Sequence, residues 1–160
     1  MQPSLQTIPS KKLVGHKIKT NLLDDKTLEL WSNFMPYRQE ITNVVSNELY
    51  SVQIMSPLYF KSFNPRAEFE KWAAMEVEHH DNIPTSMEAI TIPSGLYAVF
   101  VHKGRAIDGP KTFQYIFTKW LPASNYILDD RPHFAIMGAN YKHNDPESEE
   151  ELWVPIAPKQ

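Results

Sequence analysis

Phe113-Gln114-Tyr115-Ile116-Phe117-Thr118-Lys119-Trp120-Leu121-Pro122 is the stretch on which the fold is decided. Its apolar residues Phe113, Ile116, Phe117, Trp120 and Leu121 recur at i, i+3, i+4, i+7 and i+8, the broad stripe of a helix laid on a sheet. Asp108-Gly109-Pro110 supplies the start, with proline at the first helical position, and Pro122 is expected to end the helix. The same ending stands earlier in the chain: Asp24 and Asp25 offer caps, Leu28, Trp31 and Met35 mark a stripe, and Phe34-Met35-Pro36 closes it.

Working outward, the flanking segments also answer one another. Ile54-Met55 corresponds to Ile136-Met137, and Glu70-Lys71-Trp72 to Glu151-Leu152-Trp153. The offsets, 86 residues for the aromatic-apolar-proline ending and then 82 and 81, drift as loops of unequal length would make them drift. Each copy reads as strand, helix, strand, strand. The first copy has strands at Leu13 to Leu22, Glu48 to Met55 and Trp72 to Val77, and the second at Leu96 to Val101, His133 to Met137 and Glu151 to Ile156. The fold class is therefore α+β: tandem β-α-β-β repeats, an antiparallel sheet covered by two helices, with the seam between the repeats as the natural place for a ligand groove. Repeat one spans about residues 13–78 and repeat two about 95–157 of a single domain, 13–160. Residues 1–12, with Pro3 and Pro9, read as an irregular lead-in, and His79 to Pro93 as a linker with a short strand at Ala89 to Ile92.

Composition narrows the function classes. In 160 residues the 42% hydrophobic and 12% aromatic content can bury a full core. The formal charge is −3, and the 16 lysines and arginines are scattered, so direct nucleic-acid binding is not expected. Without cysteine there is neither a disulfide framework nor a thiolate nucleophile. No stretch reaches the length of a membrane span and the N-terminus lacks a signal-peptide pattern, which predicts a cytoplasmic protein off the membrane.

The string Ile92-Pro93-Ser94-Gly95-Leu96-Tyr97-Ala98-Val99-Phe100-Val101-His102-Lys103-Gly104 resembles the central signature of the GyrI-like family, the effector-binding domain of bacterial transcription activators, including AraC-type regulators. Trp120-Leu121-Pro122-Ala123-Ser124-Asn125-Tyr126, Arg131-Pro132-His133-Phe134 and Glu151-Leu152-Trp153-Val154-Pro155-Ile156 follow in that family's order. Trp31-Ser32-Asn33-Phe34-Met35-Pro36 and Lys71-Trp72-Ala73-Ala74-Met75-Glu76-Val77 agree more loosely. The resemblance implies two β-α-β-β repeats with pseudo-twofold symmetry, an aromatic-lined groove between them for small lipophilic or cationic molecules, and here a free-standing binding domain without its own DNA-binding domain. Members that sense cationic drugs, and a subset described as hydrolases, place a glutamate directly after the Pro-x-Phe motif. This chain has Ala135 at that place, which counts against both cation neutralisation at that point and glutamate-dependent hydrolysis, and Glu76 across the cleft is the candidate substitute.

The candidate ligand-binding residues are Trp72, Glu76, Tyr97, Trp120, Phe134 and Trp153. Rings offer large apolar area and π-faces for organic cations, and the competing reading is plain core packing. Glu76 stands in an apolar strand, where a carboxylate needs a partner or a wet cavity. Its competing reading is an edge position in water. No catalytic residue, cofactor or metal is assigned, and His79-His80-Asp81 reads as a solvated loop. The partners expected are a small organic ligand and a protein such as a transcription regulator or gyrase. The alternatives to binding are a glutamate-dependent hydrolase and a gyrase-inhibitor-like interaction module.

Overall fold

A computed structural model describes residues 1–62 and 64–160. The strands are β1 (Ser4–Ile8), β2 (Lys11–Thr20), β3 (Leu49–Ile54), β4 (Phe69–Val77), β5 (Glu88–Ile92), β6 (Gly95–Lys103), β7 (Tyr126–Leu128), β8 (His133–Met137) and β9 (Glu149–Pro158). The helices are α1 (Thr27–Phe34), α2 (Gly109–Tyr115) and the short α3 (Leu121–Ala123). Eight strands form one antiparallel path, β1-β6-β9-β8-β3-β4-β2-β5, and β7 pairs with the end of β9. The order reads alike from both edges once corresponding strands of the halves are exchanged, with β3 against β8 at the centre.

The lead-in expected at residues 1–12 is instead strand β1, hydrogen-bonded along β6, followed by the start of β2. Thr7-Ile8-Pro9-Ser10 recurs as Thr91-Ile92-Pro93-Ser94, 84 residues later. Each tetrapeptide ends an edge strand and turns into a long strand of its own half, while the edge strand pairs with the long strand of the other half. The register matches too, since Ile8 opposes Gly95 and Ile92 opposes Lys11. Pro9 and Pro93 sit in these two-residue links, where their missing N–H costs no ladder bond.

Those links bend the whole sheet. Ile8 lies at one edge and Lys11 belongs to the strand beside the other edge, yet only two residues separate them, so their Cα atoms lie within about 11 Å. The sheet therefore curls until its edges approach. One face becomes an enclosed interior without any helix over it, built from Leu13, Val52, Ile92, Val99, Ile136 and a set of rings. The opposite face carries both helices: α1 packs Leu30 and Phe34 on Val14, Ala73 and Met75, and the α2 region packs Ile116 on Ala98, Phe100 and Val154.

The α-helix of the first half does end just before Pro36, whereas the second half runs on through its proline. After α1 the chain continues as a 3₁₀ turn, Met35–Glu40, with Pro36 in its first turn, where a proline lacks nothing a helix start would use. After α2 it widens into a π turn, Ile116–Trp120, and proceeds through Pro122 to Ala123. The wider turn accommodates a ring that an α-turn would drive against the carbonyl four residues back.

Candidate functional site

One rung of the interior runs across four central strands: Trp153 on β9, Phe134 on β8, Val52 on β3 and Trp72 on β4. Strand alternation puts Glu151, Ile136, Tyr50 and Ala74 on the same face one rung along. Continuing the register, Glu149, Gly138, Glu48 and Glu76 form the third, at the open end of the curl. Aromatic rings thus give way to carboxylates over two rungs.

The rings pack on one another. Trp153 and Phe134 stack at 5.2 Å with planes 14° apart, and Phe134 and Tyr50 at 5.8 Å and 30°. Tyr97 stands edge-on to both Phe134 and Trp153. Trp72, Tyr97, Phe134 and Trp153 are at most 6% exposed, so this geometry is a filled interior whose rings must move to admit a guest. Each indole N–H is held by the glutamate two residues before it, Trp72 by Glu70 at 2.8 Å and Trp153 by Glu151 at 3.1 Å.

Glu76 does face this interior, and it is not isolated. Its Oε1 accepts from the Tyr50 hydroxyl at 3.2 Å and lies 3.4 Å from Lys11 Nζ, which also donates to Tyr50 Oη at 3.1 Å. Burial raises the Tyr50 pKa strongly, and the charges of Glu76, Glu48 and Glu151 add to the rise. The phenol therefore stays protonated and serves as a donor to Glu76. Beside it opens a cleft of about 210 Å³ lined by Glu48, Val101, Ile136, Gly138 and Glu149 to Glu151, with a second hollow against Asn47, Glu48, Gly138 and Ala139. Gly138 contributes no side chain at the middle of the carboxylate rung, which leaves the space open.

Three of the chain's own cations sit on interior rings. Lys11 Nζ is 5.5 Å from the Tyr50 ring centre, Lys17 Nζ 5.7 Å from Trp72, and the Arg131 guanidinium 4.5 Å from Tyr97. Arg131 is also bonded to Asp129 and to the carbonyls of Leu96 and Ile156. Gly95 has φ +155°, and a Cβ there would collide with the Arg131 guanidinium, so glycine is required at the turn.

Two sequence assignments separate from this group. Trp120 lies on the helix-bearing face, stacked on Tyr126 at 6.5 Å and edge-on to Phe100 at 5.2 Å. Its helical stripe turns it toward the outer core. Ala135 also faces the helices, as strand alternation beside Phe134 dictates, so a glutamate at 135 would not join the carboxylates around Tyr50. Tyr50, Lys11 and Glu48 were missed by sequence reasoning. The signal lay in parity: Glu48, Tyr50 and Val52 share one side of a strand whose end was placed correctly.

The profile of the GyrI-like small molecule binding domain matches residues 1–157. The chain belongs to the GyrI-like family. The transcriptional regulator BrlR of Pseudomonas aeruginosa is 26% identical over 157 residues, covering 92% of this chain and 53% of BrlR, so the chain spans about half the length of that relative. SAV2435 bound to tetraphenylphosphonium superposes with TM-score 0.73 at 15% identity, covering 98% of this chain and 94% of that one. The C-terminal domain of EcmrR gives TM-score 0.70 at 16% identity, with 99% and 98% covered. By that profile the chain is a GyrI-like small-molecule-binding domain, and it is related in sequence to the transcriptional regulator BrlR. Among the described residues no helix is long and apolar enough to cross a membrane.

Proposed function

We propose that the domain binds a lipophilic organic cation on the helix-free side of its sheet, with the charge held among Glu76, Glu48 and Glu151 and the apolar body among Tyr50, Phe134 and Trp153. The observation that carries this reading is the adjacency of a ring stack to a carboxylate rung, two strand residues from Tyr50 and four from Phe134 and Trp153, beside a cleft. A cation next to carboxylates and π-faces gains from both, most where water is excluded. The phosphonium bound by SAV2435 belongs to the same chemical class and supports the reading. The cleft of about 210 Å³ and the hollow of about 350 Å³ beside it share Glu48, Gly138 and Ala139 and give a guest room at the carboxylates, whereas the ring stack is filled, so the apolar body enters by parting the rings. Binding is then coupled to movement of β3, β8 and β9, the change of state a partner protein such as a transcription regulator would read.

Tryptophan fluorescence titration with tetraphenylphosphonium, against neutral triphenylphosphine oxide, tests this. The cation is expected to quench the wild type and to bind about tenfold more weakly to Glu76→Gln, about 1.4 kcal/mol, with the neutral compound little changed. Trp153→Ala is expected to weaken both ligands. Equal responses of wild type and Glu76→Gln to the cation would overturn the charge assignment, and no response from any variant would overturn the site.

A further inference from the structure

The position that suits a ligand's positive charge is already filled by the protein itself. Lys11 Nζ lies 3.1 Å from Tyr50 Oη, 3.4 Å from Glu76 Oε1 and 5.5 Å from the Tyr50 ring centre. These are the carboxylate, the donor-acceptor hydroxyl and the π-face that an incoming organic cation would use. We propose that Lys11 is a tethered competitor, an internal cation that holds the site closed and must be displaced when a cationic ligand binds. This rests on the binding reading given above.

The other two internal cations show why Lys11 is the displaceable one. Arg131 is fixed by Asp129 and two backbone carbonyls, and its side chain is 11% exposed. Lys17 is 41% exposed and pairs with Glu70 and Glu88 at the opposite end of the curl from the cleft. Lys11 is 20% exposed, and both its polar partners are side chains of the proposed site. It stands at the first residue of β2, directly after the Pro9-Ser10 link, so its flexible stem can swing outward without disturbing a ladder interior.

Exchange of one cation for another has a selectivity consequence. Releasing Lys11 costs its interactions with Tyr50 and Glu76, and a ligand recovers them only if it carries a positive charge. A neutral aromatic guest would leave Glu76 without its counter-ion or would have to bind beside an undisturbed lysine. Lys11 thus raises the threshold for all guests and selects for those that bring a charge.

The test compares wild type, Lys11→Met and Lys11→Arg, each first checked for native unfolding temperature, in titrations with tetraphenylphosphonium and triphenylphosphine oxide. Removing the competitor is expected to tighten cation binding at least fivefold in Lys11→Met, while Lys11→Arg stays within twofold of wild type. In parallel, acetylation of Lys11 by acetic anhydride, read by mass spectrometry, is expected to rise at saturating phosphonium, with Lys17 labelling unchanged. Cation affinity in Lys11→Met equal to or below that of wild type, or Lys11 labelling indifferent to ligand, would overturn the tethered-competitor assignment while the binding site stands. Absence of phosphonium binding to wild type and Lys11→Met alike would overturn both.

Discussion

His133 should make the fold acid-sensitive in a range where ordinary carboxylates still hold their charge. Its ring stacks on Phe60 at 5.4 Å and lies 6.0 Å from Phe117, on the helix-bearing face, and is 7% exposed. Burial, with a smaller push from the Arg131 charge, lowers its pKa from 6.5 to about 4. The neutral imidazole is therefore the form the fold accepts, while the unfolded chain takes up a proton near 6.5. Stability is full above about pH 6.5 and falls as the pH drops toward 4. At 1.36 kcal/mol for each pH unit of that lowering, the loss attributable to His133 is about 3 kcal/mol. Urea unfolding followed by tryptophan fluorescence at pH 7.5, 6.0, 5.0 and 4.5 measures it, with His133→Phe keeping the ring and removing the titration. The wild type should lose about 2.5 kcal/mol more than the variant between the ends of that range, which stops short of the folded pKa of about 4. Parallel pH profiles for the two proteins would refute the reasoning.

Three further outcomes follow from packing. A Cβ on Gly15 would strike the backbone of Ala73 and come 2.7 Å from Ala74 Cα, so Gly15→Ala should cost more than about 2 kcal/mol in chemical denaturation, since neither neighbour is a side chain that can swing away. Thr112→Val removes the 2.7 Å hydrogen bond to buried His102 Nδ1 and should cost about 1–3 kcal/mol, visible as a lowered unfolding temperature. Ile8→Asp puts a charge against the interior where β1 meets Gly95, and amide exchange of β1 and β6 should accelerate together while α1 stays protected.

The strongest sequence signals were those with long, regular periods. The stripe from Phe113 to Leu121 marked a sheet-covering helical segment and the run His133 to Met137 a strand, and together with the repeat offsets they led to an α+β antiparallel sheet with two helices on one side. Strand β1 was lost because Pro3 and Pro9 read as breakers, when the second of them occupies a strand-to-strand link that needs no N–H donor. Its repeat, Thr7-Ile8-Pro9-Ser10 against Thr91-Ile92-Pro93-Ser94, was present in the sequence and would have supplied both the extra strand and the closure of the curl. Trp72, Glu76, Tyr97, Phe134 and Trp153 were grouped through the family resemblance, and strand alternation puts them on one face of the sheet. Trp120 was not separable from them, because an aromatic on a helical stripe says nothing about which side of the sheet the helix covers. Lys11 lies across the chain from its partners, 39 residues from Tyr50 and 65 from Glu76, so only the β2–β4–β3 pairing brings them together.

A crystal structure of the domain grown with tetraphenylphosphonium is the most direct measurement. The account predicts density for the cation against Tyr50, Phe134 and Trp153, its phosphorus near Glu76, and Lys11 Nζ moved away from both Tyr50 and Glu76. Density on the helix-bearing face beside Trp120, or an interior unchanged at saturating ligand with Lys11 still in place, would contradict it.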